Sequence, residues 1–142
     1  MTNQSPAEAI PEIVNLADDS GVGQVGQVWA RWAAWKFVLI RRERRIHLVV
    51  GPVGLFRYHA NLVDGFCRRH EIPASKARGA RQVEIYDRSI SVLGGGHVSV
   101  DPESRKIRFF GRSSAYGPFD TKAVSSILER GSFFTGYSIL ID

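Results

Sequence analysis

The chain has 142 residues, enough for one domain with a real core and too few for two. Hydrophobic residues make up 44% and charged residues 23%, the mix of an ordinary globular protein, and the single cysteine, Cys67, excludes an internal disulfide. Nineteen basic residues against fourteen acidic give a formal charge of +5; four are Lys and fifteen Arg, a balance suited to doubly hydrogen-bonded recognition of phosphate or carboxylate.

In chain order, the N-terminus has no basic segment followed by an apolar run, so it does not read as a secretory signal. Residues 1–30 read as a flexible tail, with a short helix near 11–17, and 31–142 as one domain. "GVGQVG" (21–26) matches G-x-G-x-x-G literally, but Asp18-Asp19-Ser20 makes a poor strand end before it. A glycine linker is favoured over a dinucleotide site. "KFVLIRR" (36–42) and "IHLVV" (46–50) read as strands, with the charged Arg41–Arg45 run at the turn between them. By period-two alternation Lys36 shares a face with Val38 and Ile40. Its amine either reaches water or points at a phosphoryl group.

From Tyr58 to His70 the period becomes helical: His59, Val63, Phe66 and His70 recur at spacings of three or four, and Pro73 stops the helix. "ASKARGARQ" (74–82) is a basic loop. Residues 83–93 read as a strand broken near Asp87. In "LGGGHVSV" (93–100) no Lys-Ser/Thr follows the glycines, so they read as a bend or bulge rather than a P-loop. "HVSV" (97–100) and "RKIRFF" (105–110) flank Asp101-Pro102-Glu103-Ser104, a four-residue hairpin loop. "GRSSAYG" (111–117) is either an ordinary polar connection or a nest whose successive amides bind an anion; the residues leave both open. Thr121 to Arg130 is a helix with Thr121 as N-cap and Gly131 as its stop, and 137–141 a last strand. The order predicts an α+β fold: a mixed, mostly antiparallel sheet of about six strands with two helices packed on it.

His59 falls on the apolar side of its helix, in the first turn. The helix N-terminus and partial burial both disfavour imidazolium, leaving a neutral ring able to accept a proton near pH 7. Taken alone, a single histidine on an apolar face favours a packed residue.

Taken together, "WKFVLIR" (35–41), "YHANLVD" (58–64), "LGGGHVS" (93–99) and "KIRFFGRSSAYGP" (106–118) resemble the small phosphohistidine phosphatase family, also called the Janus family, over roughly residues 35–141. The resemblance implies a mixed sheet with a helix on each side. It also implies hydrolysis of the phosphoramidate bond of a phosphohistidine protein or peptide, with no metal and no cofactor. It makes His59 the catalytic base; a covalent phospho-His59 intermediate is the rival route. Phosphate would be held by Lys36, Ala60, Ser113 and Ala115, with Ser114 as a further candidate. Two expected arginines are missing: His97 follows the triple glycine, and Val50-Gly51-Pro52 carries no basic residue. Arg112 is the candidate to replace them in part.

A monomer in the cytoplasm, away from membranes, is the expectation. Two alternatives stay open. One is a non-catalytic phosphate-binding module of the same fold. The other, disfavoured because the basic residues are scattered, is a nucleic-acid-binding domain built on Arg41–Arg45 and the 76–81 loop.

Overall fold

The computed structural model describes residues 10–17, 34–130 and 136–142. Six strands form one sheet: β1 (Ile13–Asn15), β2 (Ala34–Arg42), β3 (Arg45–Pro52), β6 (Ile90–Asp101), β7 (Lys106–Phe110) and β8 (Ser138–Ile141). Their order across the sheet is β1-β3-β2-β6-β7-β8. The four central strands pair antiparallel, and β1 and β8 add parallel edges. Among the described residues two helices, α1 (His59–Arg69) and α2 (Thr121–Arg130), pack on the sheet, in the α+β fold that the sequence predicts. A small ribbon, β4 (Ala74–Ser75) with β5 (Glu84–Ile85), stands apart from the main sheet.

Alternation along β2 gives the sheet two buried faces. Trp35, Phe37 and Leu39 pack with Val124 and Ile127 of α2. Val38 and Ile40 pack with Leu62, Val63 and Phe66 of α1. The helices therefore cover opposite faces, as a sheet with two apolar sides requires. The charged run lies at the β2–β3 turn as expected, with Glu43 in the left-handed region at φ 58°.

The structure corrects the sequence at three places. Residues near 11–17 are not a helix; Ile13–Asn15 pairs parallel to Leu48–Val50, and Ile10, Ile13, Val14 and Leu16 are buried. That segment thus belongs to the folded sheet rather than to the tail drawn at 1–30. The N-cap of α2 is Asp120, not Thr121: its carbonyl accepts from the Val124 amide at 3.3 Å and its Oδ1 from the Lys122 amide at 2.9 Å. The hairpin register is Asp101↔Lys106, so the loop is 102–105, one residue later than expected. The 21–26 glycine motif and Gly131 lie outside the described residues.

Strand β6 runs unbroken through the triple glycine, with the expected bulge inside it. Val38 pairs with Gly95 and Ile40 with Val92, so Leu93 and Gly94 oppose the single residue Leu39. One extra residue reverses the alternation that follows. Ile90 and Val92 side with α1, whereas Val98 and Val100 side with α2. His97 is thereby turned to the α1 face, in register with Lys36. Gly94, at φ 123°, could not be replaced without strain: a Cβ would stand 2.0 Å from the Pro118 carbonyl oxygen.

Candidate functional site

The site lies where the first turn of α1 meets the bulged strand. Tyr58 precedes the helix in extended backbone, and its amide donates to Asn61 Oδ1 at 2.9 Å. No acidic residue occupies the first turn, so the positive end of the helix dipole is not neutralised. The amides of His59 and Ala60 have no intrahelical acceptor at these positions.

His59 is the first helical residue and only 6% exposed. Its Nε2–H donates to the Gly96 carbonyl at 2.9 Å. A carbonyl can only accept, so Nε2 carries the ring proton and Nδ1 keeps its lone pair. Burial holds the imidazole below the ordinary histidine range, and Lys36 and His97 push the same way; the Gly96 bond opposes them in part. The direction of this shift is the one that helix position and burial lead one to expect. Gly95 allows this approach, since a Cβ there would meet the Phe37 carbonyl at 2.4 Å and the His59 ring at 3.1 Å.

Lys36 stands on the same face, half-buried, and its Nζ donates to the Arg57 carbonyl at 2.6 Å. Burial, then Arg57, holds this amine below the usual lysine range. Tyr58 lies at the mouth, its ring centroid 5.9 Å from Nζ and 5.3 Å from the Arg57 guanidinium carbon.

Opposite the helix, the segment 113–117 forms a closed turn. The Ser113 amide donates to the carbonyls of Gly95 (3.0 Å) and Gly117 (3.1 Å), and Ser113 Oγ accepts from the Tyr116 amide at 3.0 Å. Ser113 is fully buried behind the turn, its amide committed to holding it. Ser114 and Ala115 face the cleft, and among the described residues their amides donate to no protein acceptor. Ser113 thus holds the turn, and its two successors present their amides to the cleft.

These groups line a cleft of about 390 Å³. Lys36, His59, Ala60, Ser114 and Ala115 are brought together in it. His97 is not on its wall: its ring lies edge-on to His59 at 5.5 Å and beside Phe110, under Gly111. Arg112 is exposed and does not line the cleft. The cations on the outer wall are Lys76 and Arg81, from the 74–82 loop. Sequence reasoning used this loop only in the nucleic-acid alternative and did not place it at the cleft; the signal was its basic composition, without any indication of where it folds back. Among the described residues no three His, Cys, Asp or Glu side chains converge as a metal site would require, and no helix is long and apolar enough to cross a membrane.

The model of the Janus/Ocnus family matches residues 24–138, most of the chain. The chain belongs to the Janus/Ocnus family. No curated protein matches it. As a Janus/Ocnus chain it carries Lys36, the Tyr58-His59-Ala60 helix start, the triple glycine and the Ser113–Ala115 turn as one spatial group, around a cleft whose outer wall is supplied by the 74–82 loop.

Proposed function

We propose that the protein is a phosphohistidine phosphatase that hydrolyses the N–P bond without a metal, His59 serving as general base. The observation that carries this reading is the fixed tautomer of His59: with Nε2–H held by Gly96, the basic Nδ1 belongs to a ring that lines the cleft. The phosphoryl oxygens would rest on the amides of Ala60, Ser114 and Ala115, at the positive end of α1, with Lys36 balancing charge. Nδ1 takes one proton from water as its oxygen attacks phosphorus. The P–N bond breaks in line, the electron pair stays on the substrate imidazole, which takes a proton from solvent, and His59 returns its own proton to solvent. The products are the unphosphorylated histidine side chain of the substrate and inorganic phosphate. Phosphoryl transfer is chiefly positioning and electrostatics, so a small preorganised site is adequate for a labile N–P bond.

The test is hydrolysis of a phosphohistidine peptide by the wild type and by His59→Ala, with and without EDTA. Loss of a general base costs about 10²–10⁴-fold in rate. Because a lowered pKa keeps His59 neutral at pH 7, the acid limb of kcat/KM belongs below the ordinary histidine value of about 6.5. Full activity of His59→Ala would overturn the assignment. Loss of activity in EDTA would overturn metal independence. Phosphate-dependent binding without turnover would show the non-catalytic module instead.

A further inference from the structure

The outer wall of the cleft is more cationic than a single phosphoryl group requires. Lys36, Lys76 and Arg81 line the cleft, and among the described residues no carboxylate does. A phosphoryl group carries about two negative charges, and Lys36, the helix N-terminus and the free amides already face it. The cleft volume of about 390 Å³ is that of a ligand pocket rather than of one phosphoryl group. Room and positive charge are therefore left over on the same side, at Lys76 and Arg81.

That side is held in place. Ala74 and Ser75 pair with Ile85 and Glu84, closing the base of the loop. Its far end is strapped to the phosphate turn by three successive bonds. Arg81 donates to the Ser114 carbonyl at 2.9 Å, Gln82 to the Ala115 carbonyl at 2.6 Å, and the Val83 amide to the Tyr116 hydroxyl at 2.9 Å. Arg81 spends one donor on Ser114 and keeps others for a ligand. The loop is thus ordered before any substrate arrives, which lowers the entropy cost of using its cations.

We propose that Lys76 and Arg81 form a second anion subsite that takes an acidic side chain flanking the phosphohistidine, so that the substrates are acidic phosphohistidine segments of proteins. The proposal rests on the phosphatase reading for the identity of the phosphorylated residue. A planar guanidinium fixed beside the phosphate turn suits a carboxylate, and the lysine adds a point charge.

The test compares two short peptides that carry a non-hydrolysable phosphonotriazole analogue of phosphohistidine, one flanked by Glu and one by Gln. Binding is read by fluorescence anisotropy at physiological ionic strength. The wild type is expected to favour the Glu-flanked peptide by about three- to tenfold, the scale of two partly exposed ion pairs. Lys76→Gln should narrow that ratio and Lys76→Glu should bring it to one or below; neither touches the strap bonds. Equal wild-type affinity for the two peptides, or a ratio unmoved by Lys76→Glu, overturns the subsite. So does equally tight binding of a single-stranded oligonucleotide of matched charge. Hydrolysis of phosphohistidine with no flank preference would defeat this inference and leave the phosphatase reading standing. A Glu preference without hydrolysis would do the reverse.

Discussion

The two ends of helix α1 each hold a histidine, one beside the candidate site and one away from it. His59 opens the helix; His70 caps its end, its amide donating to the Phe66 carbonyl at 3.1 Å. Burial is the largest cause of a lowered pKa at both. At His59 the helix dipole works in the same direction. At His70 it works in the opposite one, since a C-terminus favours imidazolium. Burial and the neighbouring Arg69, His47 and Arg42 still push His70 down to about 4. A perturbed histidine is therefore not by itself a catalytic one. What distinguishes His59 is a carbonyl that fixes its tautomer and a cleft beside it; His70 packs against the Phe66 ring at 4.8 Å and lines no described cleft.

The largest expected effect tests this contrast directly. His59→Ala should lose about 10²–10⁴-fold in kcat/KM on a phosphohistidine peptide. His70→Gln, assayed in the same way, should stay close to wild type. A comparable loss in both would mean that α1 matters only as a packed element.

Next in size is the bulge that builds the His59 end. Gly94→Ala places a Cβ 2.0 Å from the Pro118 carbonyl oxygen at φ 123°, whereas Gly79→Ala, at φ 78°, meets nothing within 4 Å. Both pay the left-handed penalty, but only Gly94 adds a backbone clash. Gly94→Ala should lose about 1–3 kcal/mol more in urea unfolding than Gly79→Ala. Equal losses would show that the close approach of the Pro118 loop is dispensable.

How much of this could be read from residues alone follows the range of the forces involved. Helix α1 and strands β2 and β3 were legible because period and punctuation are local. Strand β1 was not: Ile10, Ile13 and Val14 recur at helical spacing, and only the parallel partner β3 makes the segment extended. The glycines announced a bulge, but its consequence, that His97 turns to the face of Lys36, depends on counting partners across the sheet. At the site, Lys36, His59 and the Ser113–Ala115 turn were found through family resemblance. Lys76 and Arg81 were not, because an irregular loop has no period and its closure onto Ser114 and Ala115 is a tertiary event. Arg112, proposed from sequence to restore the missing charge, is exposed outside the cleft those two residues line.

A smaller effect concerns pH. The folded pKa values of His47, His59 and His70 all lie below the unfolded value of about 6.5, with burial the leading cause at each. Below that value the unfolded chain binds more protons than the folded one, so stability rises with pH. The contribution is complete above about pH 6.5 and is lost as the pH falls toward the folded values, about 4 for His70. The urea midpoint should therefore drop between pH 7 and pH 5, and His70→Gln should flatten part of that slope. A midpoint that rises on acidification would reverse the sign and place charged, not neutral, imidazoles in the folded state.

The smallest expected effect decides which residue compensates for the missing arginines. Arg112 is exposed and does not line the cleft that Ser114 and Ala115 help to form, while Lys76 does. A charge screened by water over about 8–10 Å contributes little to a bound phosphoryl group, so position outweighs charge. Arg112→Ala should change kcat/KM by less than about threefold, close to Arg88→Ala on the exposed approach to β6, and by less than Lys76→Ala does. Were Arg112→Ala to exceed Lys76→Ala, the sequence-based candidate would regain its place. The 111–113 segment would then have to move toward the substrate during turnover, against the bonds that tie the Ser113 amide to Gly95 and Gly117.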